Sequence, residues 1–234
     1  MSYYHVERWD TYEIVLTASG TYPNPFQNVG VKATFTHKES RKQIVVDGFY
    51  DGGSTWRIRF MPTELGIWNY LTESKDSSLN DKKGSLTCTE PKKSYLHGPL
   101  SPKGFHFCHA DSTRRFLIST RLSCQFAPPS VWEGVIDFLK ASRINRVLFI
   151  MGGRYGTVKD LYGEGLDFSR YNIEKFQAID AFIDALRRRD ILASPYFYYN
   201  DTQRSLTIEQ DKAFVRYGMA RFGAYSNVFL GFLE

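Results

Sequence analysis

The chain has 234 residues, of which 42% are hydrophobic, 16% aromatic and 24% charged. This composition is typical of a folded globular protein and excludes a disordered, collagen-like or coiled-coil chain. The net charge of +5 is small and spread along the sequence, which argues against nucleic-acid binding, and no apolar stretch is long enough to span a membrane.

The first residues lack the apolar run of a secretory signal. The expected location is therefore the cytoplasm if this N-terminus is genuine, and localisation is otherwise left open. The three cysteines, Cys88, Cys108 and Cys124, follow no disulfide or zinc spacing and are predicted to be buried thiols. No metal and no cofactor are expected.

Residues 6–90 have the period of two that is typical of β-strands. Trp56, Ile58 and Phe60 alternate with Arg57 and Arg59, which predicts a half-buried strand with a cationic outer face. Similar patterns cover 12–17, 29–35, 44–49, 67–72 and 85–89. Turn residues separate these short strands, so the sequence predicts an antiparallel β-sandwich in which Trp56 and Trp68 are core residues.

Beyond Pro99 the period changes. After a hairpin over 105–118 that turns at Asp111, strand and helix patterns alternate. Strands are predicted at 116–124, 146–151, 191–199 and 228–233, and helices at 131–142, 172–189 and 207–223. The helix at 172–189 is expected to have its N-cap at Asn172 and a basic end at Arg187-Arg188-Arg189. Its apolar stripe is predicted to consist of Ile173, Phe176, Ile179, Ile183 and Leu186. This alternation predicts parallel strands with right-handed crossovers. A doubly wound nucleotide-binding sheet is one alternative, although no phosphate-binding glycine turn follows the first strand.

Two stretches carry a family resemblance. Residues 51–70, from Asp51-Gly-Gly-Ser-Thr-Trp to Gly-Ile-Trp-Asn-Tyr70, resemble the signature of a β-sandwich domain of unknown function (DUF5060-like) that precedes glycoside-hydrolase barrels. Residues 116–234 are similar to the apiosidase-like (β/α)8 glycoside hydrolases. The matching pieces are Asp167-Phe-Ser-Arg-Tyr-Asn172, Phe176-Gln-Ala-Ile-Asp180 and the run from Arg216 to Leu230.

The resemblance implies an N-terminal antiparallel Ig-like β-sandwich over 1–90, a linker over 91–103 and a partial TIM (β/α)8 barrel over 104–234. A complete barrel needs about 250 residues, so we expect only its first half here. The chain departs from the family at the first barrel strand, where Ser119 replaces the usual acid and Leu122 the usual aromatic residue. Glu234 stands where the family has an acidic residue after the fourth strand.

Glycoside hydrolysis generally needs two carboxyl groups beside the scissile bond. In a parallel barrel the catalytic groups follow the carboxyl ends of strands, so Glu234 is the predicted general acid/base, with a terminal solvated carboxylate as the simpler interpretation. The second carboxylate is expected from a later strand that this chain lacks. The other strand-end residues are predicted to bind substrate: Arg121, Arg154, Tyr155, Tyr199, Asn200 and Asp201.

The resemblance implies that the full-length protein hydrolyses O-glycosidic bonds in polysaccharides or oligosaccharides without a cofactor. Its partner would be a carbohydrate substrate, and neither nucleic acid nor membrane is expected to bind. The fragment alone is expected to be inactive, and the sequence makes no prediction of oligomeric state. The alternative from another class is a non-catalytic carbohydrate-binding or interaction module built on the β-sandwich.

Overall fold

The protein, for which we use a computed structural model, is described over residues 4–151, 158–163, 165, 167–198 and 206–233. Contacts between Cα atoms divide the chain into two compact units. The first unit is Met1–Leu96 together with Arg216–Ala224, and the second is His97–Val215 together with Tyr225–Glu234. Within the described residues, no helix combines the length and the apolar character needed to cross a membrane.

The first unit consists mainly of strands. In chain order its elements are β1 (Tyr4–Glu7), β2 (Tyr12–Thr17), α1 (Pro25–Asn28), β3 (Val31–His37), β4 (Gln43–Asp47), β5 (Phe49–Tyr50), β6 (Thr55–Phe60), β7 (Gly66–Ser74) and β8 (Lys83–Thr89). They form a five-stranded sheet in the order β1-β8-β7-β3-β4 and a three-stranded sheet in the order β2-β6-β5. The predicted strands are present, with ends that differ by a few residues.

The expectation that these strands pair only in the antiparallel sense is wrong at one edge. Strand β1 pairs in parallel with β8, with Tyr4 opposite Leu86 and Glu7 opposite Thr89. The two strands lie at opposite ends of the unit's sequence, so no hairpin turn forces them to run in opposite directions. The sequence did not predict β1, because its residues are exposed or only partly buried and therefore lack an alternating pattern.

The two sheets share one hydrophobic core. Ile14 and Leu16 from β2 belong to the same buried cluster as Phe35 from β3 and Trp68 from β7. The rings of Phe35 and Phe60 stack with centroids 3.9 Å apart. Trp56 and Trp68 are 2% and 0% exposed, which confirms that both tryptophans are core residues.

A group of ion pairs, here called the Arg221 cluster, joins the three-stranded sheet to residues 216–224 of the same unit. Its members are Glu13, Asp51, Arg57, Arg59 and Arg221. Arg57 Nε lies 2.5 Å from Asp51 Oδ2, and Arg59 Nε lies 2.8 Å from Glu13 Oε2. The fully buried Arg221 pairs with Asp51 at 2.8 Å and accepts, through its backbone carbonyl, a 2.9 Å hydrogen bond from Arg59.

The Arg221 cluster corrects the prediction of a cationic outer face on β6. Arg59 is only 7% exposed, since residues distant in sequence cover that face of the strand. The guanidinium of Arg221 also lies 4.8 Å from the ring centroid of Phe49, which is a favourable cation–π distance. The alternation of residues along one strand shows which side chains share a face, but it cannot show what covers that face.

The second unit begins with a small antiparallel sheet, β11-β10-β9, and continues with a four-stranded parallel sheet, β12-β13-β14-β15. In chain order the elements from Leu100 onward are β9 (Leu100–Lys103), β10 (His106–His109), β11 (Arg114–Arg115), β12 (Ser119–Arg121), α2 (Pro129–Ala141), β13 (Arg146–Ile150), α3 (Val158–Tyr162), α4 (Ile173–Arg188), β14 (Leu192–Tyr198), α5 (Ile208–Phe222) and β15 (Gly231–Leu233). The residues of α5 from Arg216 onward group with the first unit. The predicted hairpin over 105–118 is present as β10 and β11.

The helix patterns predicted the helices well. For the helix expected over 172–189, α4 begins after Asn172, whose side chain accepts a hydrogen bond from the backbone N–H of Lys175. Phe176, Ile179 and Ile183 from the predicted apolar stripe are fully buried. The helix therefore has the N-cap and the buried face that an amphipathic helix needs.

The first parallel strand is shorter than predicted. The pattern suggested a strand over 116–124, but β12 covers only Ser119–Arg121, and Phe116 is 83% exposed. The amide side chain of Asn145 replaces ladder bonds here: its Oδ1 accepts from the Ile118 N–H and its Nδ2 donates to the Phe116 carbonyl. A side chain thus satisfies backbone groups that a longer strand would have paired.

Candidate functional site

The carboxyl ends of the four parallel strands provide the place for the predicted site. Arg121 in β12 is opposite Leu148, and Ile150 at the end of β13 is opposite Tyr196. Tyr198 at the end of β14 is opposite Leu233. Since parallel strands end at the same edge of a sheet, side chains at these ends converge on one rim.

Arg121 is the one predicted site residue whose position is described. It is the last residue of β12 and is exposed. The strand-end prediction therefore places Arg121 at the carboxyl rim of the parallel sheet. The other predicted site residues lie outside the described residues: Arg154, Tyr155, Tyr199, Asn200, Asp201 and Glu234.

Gln125 is a polar residue of this rim that the sequence analysis missed. Its side chain is 1% exposed, and its Nε2 donates a 2.8 Å hydrogen bond to the carbonyl of Ile150 at the end of β13. Its Oε1 is buried and has no hydrogen-bond partner among the described residues. A buried amide acceptor without a partner is costly, at about 1–3 kcal/mol, so Gln125 is one of the polar groups beside the rim that the packing alone does not explain.

Only a weak sequence signal pointed to Gln125. It is a polar residue four positions after the end of β12, within the otherwise mostly apolar stretch Cys124–Ala127. Its neighbour Cys124 is half-buried, and this burial raises the pKa of the thiol. Cys124 is therefore in the thiol form at neutral pH and lacks the thiolate character of a nucleophile.

The described residues hold no group of three or more His, Cys, Asp or Glu side chains arranged to bind a metal ion. His106 is exposed, whereas His109 is buried and contacts the carbonyl of Gly98 through Nδ1 at 2.8 Å.

In comparisons with known proteins, a domain model matches part of the chain and a solved structure resembles nearly all of it. Residues 5–75 match the model of a domain of unknown function, DUF5060. A candidate glycoside hydrolase from Bacteroides vulgatus superposes on 97% of this chain with a TM-score of 0.84 and 26% sequence identity. The chain spans about half of that protein, covering 48% of its length.

A family 5 glycoside hydrolase from Bacteroides vulgatus is a more distant match. It has 15% identity and a TM-score of 0.45, and it covers 58% of this chain and 32% of its own. No curated protein is significantly similar to the chain. Residues 5–75 are therefore similar to a DUF5060 domain, and nearly the whole chain shares its fold with a glycoside hydrolase-like protein.

Proposed function

We propose that this chain is the N-terminal portion of a glycoside hydrolase of the apiosidase-like type. An Ig-like β-sandwich would be followed by the first half of a (β/α)8 barrel, and the full-length protein would hydrolyse O-glycosidic bonds in oligosaccharides or polysaccharides. The observation that carries this proposal is the similarity to the Bacteroides vulgatus protein over 97% of the chain. The parallel order β12-β13-β14-β15 supports it.

In this proposal the reaction takes place at the carboxyl rim of the parallel sheet. Glu234 follows β15 in sequence and would act as general acid/base. Strand-end polar and aromatic residues would bind the sugar hydroxyls and ring faces: Arg121, Arg154, Tyr155, Tyr199, Asn200 and Asp201. Hydrolysis also needs a second carboxylate, as nucleophile or as base for water, which we assign to a later strand of the longer protein.

The proposal is tested by assaying the longer protein and this chain with a panel of aryl glycosides. We expect turnover by the longer protein and none by this chain, because one of the two carboxyl groups is missing. The alternative of a non-catalytic module predicts no turnover by either protein. Turnover by this chain alone would contradict the assignment of the second carboxylate to a later strand.

The role of Glu234 is tested in the longer protein with Glu234→Gln, which keeps the shape of the side chain but cannot donate a proton. We expect kcat to fall about 10²–10⁴-fold on a substrate with a poor leaving group such as phenol. With dinitrophenol, which leaves without protonation, bond cleavage should be affected far less. Glu209→Gln, on the exposed first turn of α5, is the matched control and should keep full activity. Equal losses on both substrates would contradict general-acid catalysis by Glu234.

A further inference from the structure

A groove lies in the first unit and is formed entirely by residues of that unit. Its volume is about 660 Å³, and residues of β1 and β2 line most of it, with further contributions from Tyr70, Thr89, Lys92 and Lys93. This volume lies within the range of about 300–1,000 Å³ that is common for small-molecule sites. The groove is large enough for a short chain of sugar rings.

The walls of the groove are two edge strands. Strand β1 is the edge of the five-stranded sheet, and β2 is the edge of the three-stranded sheet. The turn between them is tightly held: the Trp9 N–H donates to the Pro62 carbonyl at 3.0 Å, and the Asp10 N–H donates to the Glu7 carbonyl at 3.0 Å. Trp9 itself is buried with a positive φ of 67°. The spacing of the walls is therefore set by the fold.

Three tyrosines line the groove, one of them exposed and two partly buried. Tyr4 is 59% exposed, and its ring centroid lies 6.1 Å from that of Tyr12. The Tyr12 ring in turn lies 6.2 Å from that of Tyr70, and both are partly buried. Burial and the adjacent phenol of Tyr70 raise the pKa of Tyr12, so its hydroxyl stays protonated. The ring of Tyr4 is therefore exposed to solvent, and it packs against the partly buried ring of Tyr12, which in turn packs against that of Tyr70.

Carboxylates lie on the same surface, and nearby cations neutralise them. Glu7 accepts hydrogen bonds from the backbone N–H groups of Lys92 and Lys93 at 2.7 and 3.0 Å. Burial opposes the ionisation of Glu7, but these two donors outweigh it and lower its pKa. Lys93 Nζ lies 2.5 Å from Asp10 Oδ2, and Glu13 pairs with Arg59. The groove thus offers fixed oxygen acceptors without a strong net field.

We propose that this groove binds a neutral saccharide chain, with the exposed ring of Tyr4 stacked on a sugar face and the carboxylates of Glu7 and Asp10 accepting hydrogen bonds from sugar hydroxyls. Sugars combine an apolar C–H face with a rim of hydroxyl donors, which matches an aromatic wall beside anionic acceptors. Three carboxylates (Glu7, Asp10 and Glu13) and two lysines (Lys92 and Lys93) line the groove, so it has no excess of positive charge that would attract an anionic ligand. This inference does not depend on the proposed hydrolase activity, since binding alone is required.

The test is affinity electrophoresis of the intact chain in native gels that contain one polysaccharide each. The neutral probes are mixed-linkage β-glucan, xyloglucan and galactomannan, and the anionic probe is polygalacturonate. We expect at least one neutral probe to retard the protein relative to cytochrome c, a basic reference protein that migrates in the same direction, and polygalacturonate to retard the two proteins equally. Retardation by none of the neutral probes, or by polygalacturonate alone, would overturn the proposal.

Substitutions then locate the binding site. Tyr4→Ala should weaken binding to the retarding polysaccharide about fivefold or more, as the loss of an aromatic contact typically does, whereas Tyr4→Phe keeps the ring and should bind normally. Phe105→Ala removes a ring of the second unit that is fully exposed and should have no effect. Equal effects of Tyr4→Ala and Phe105→Ala would exclude the groove. Circular dichroism checks that each variant is folded.

The results of the binding test and of the hydrolase test can be told apart. If the chain binds polysaccharide and cleaves no glycoside, the result supports saccharide binding in the groove. The hydrolase activity is then decided by the assay of the longer protein. A longer protein that cleaves glycosides, while the intact chain is retarded by no neutral probe, supports the hydrolase and overturns the groove.

Discussion

The guanidinium of Arg221 is fully buried and contacts several residues of the first unit. It pairs with Asp51, donates a 3.0 Å hydrogen bond to the hydroxyl of Tyr217, and lies over the ring of Phe49. Tyr217 in turn donates a 3.0 Å hydrogen bond to the carbonyl of Tyr50. A buried charge with this many partners is stable only while the partners remain, because each unpaired member carries a desolvation cost.

Arg221→Met should therefore lower the free energy of unfolding of the intact chain by about 3 kcal/mol. Methionine fills much of the same volume but leaves the buried Asp51 with one cation fewer. Urea unfolding followed by circular dichroism measures the change. The matched control is Arg216→Met on the same helix, since Arg216 is 76% exposed and lies 3.9 Å from Asp47. A loss for Arg221→Met no larger than the loss for Arg216→Met would contradict this assignment.

His109 is a second residue whose surroundings determine its charge. Its Nδ1 contacts the Gly98 carbonyl, and its Nε2 is buried without a partner among the described residues. Burial lowers the pKa of His109, and the nearby Arg115 and His97 act in the same direction, against the Gly98 bond and Asp111. A proton on Nε2 would thus be a buried donor with no described acceptor.

The protein should lose stability through His109 as the pH falls below about 6.5, the ordinary histidine value. In that range the unfolded chain binds a proton that the folded chain does not, so the free energy of unfolding decreases. His109→Asn keeps an amide N–H near the position of Nδ1 but does not titrate. We expect a smaller loss of stability between pH 7.5 and 5.5 in this variant than in the wild type. Equal losses would show that His109 titrates normally.

At the residue scale, the sequence predicted buried apolar residues better than buried polar ones. Trp56 and Trp68 followed from period-two alternation, because an apolar face needs only some core to cover it. The burial of Arg59 and Gln125 could not be predicted in this way, since a buried polar group depends on specific partners that are remote in sequence. Tyr4, Tyr12 and Tyr70 likewise meet only after β1 and β8 have paired.

Among the elements, α4 shows how local signals fix a helix. The sequence predicted its N-cap at Asn172, its apolar stripe and its basic end, and all three are present. Arg187 and Arg188 near the C-terminus both pair with Asp184, and Arg189 pairs with Asp137. These contacts lie within one helix or between adjacent helices, which explains why pattern reasoning predicted the element.

Asn172→Ala should lower the free energy of unfolding by about 1 kcal/mol. The substitution removes the side-chain acceptor for the Lys175 N–H and leaves that donor at the helix end unpaired. Thermal and urea unfolding measure the loss. Asn172→Ser retains an N-cap oxygen and should keep most of the stability. If Asn172→Ala and Asn172→Ser lose the same amount, the cap does not stabilise α4 as assigned.

Short elements escaped prediction for a physical reason. Strand β1 has four residues, none of them fully buried, and helix α3 has five, little more than one helical turn, so neither displays a repeating pattern of buried positions. Strand β12 was predicted too long because Phe116 and Ile118 look apolar in sequence, although both are exposed. For β1 and β12 a pairing partner elsewhere in the chain decides where the strand lies, and apolar character alone does not reveal it.

At the scale of the whole molecule, two compact units emerge, and residues 216–224 group with the first. The domain limits 1–90, 91–103 and 104–234 were drawn from a change of period along the sequence. That these limits separate independently folding domains stays a prediction. Sequence order alone could not have assigned the second half of α5, because a helix pattern carries no sign of which core receives its buried face.

Because residues 216–224 belong to the first unit, this unit cannot be completed early in protein synthesis. The hydrogen bond from Arg59 to the Arg221 carbonyl joins residues 162 positions apart, so a ribosome at about 5–20 residues per second needs roughly 8–30 s between making its two ends. Throughout that interval the nascent chain presents the arginine side of β6 without its eventual cover. The N-terminal unit therefore reaches its final form only late in translation, after most of the second unit has been made.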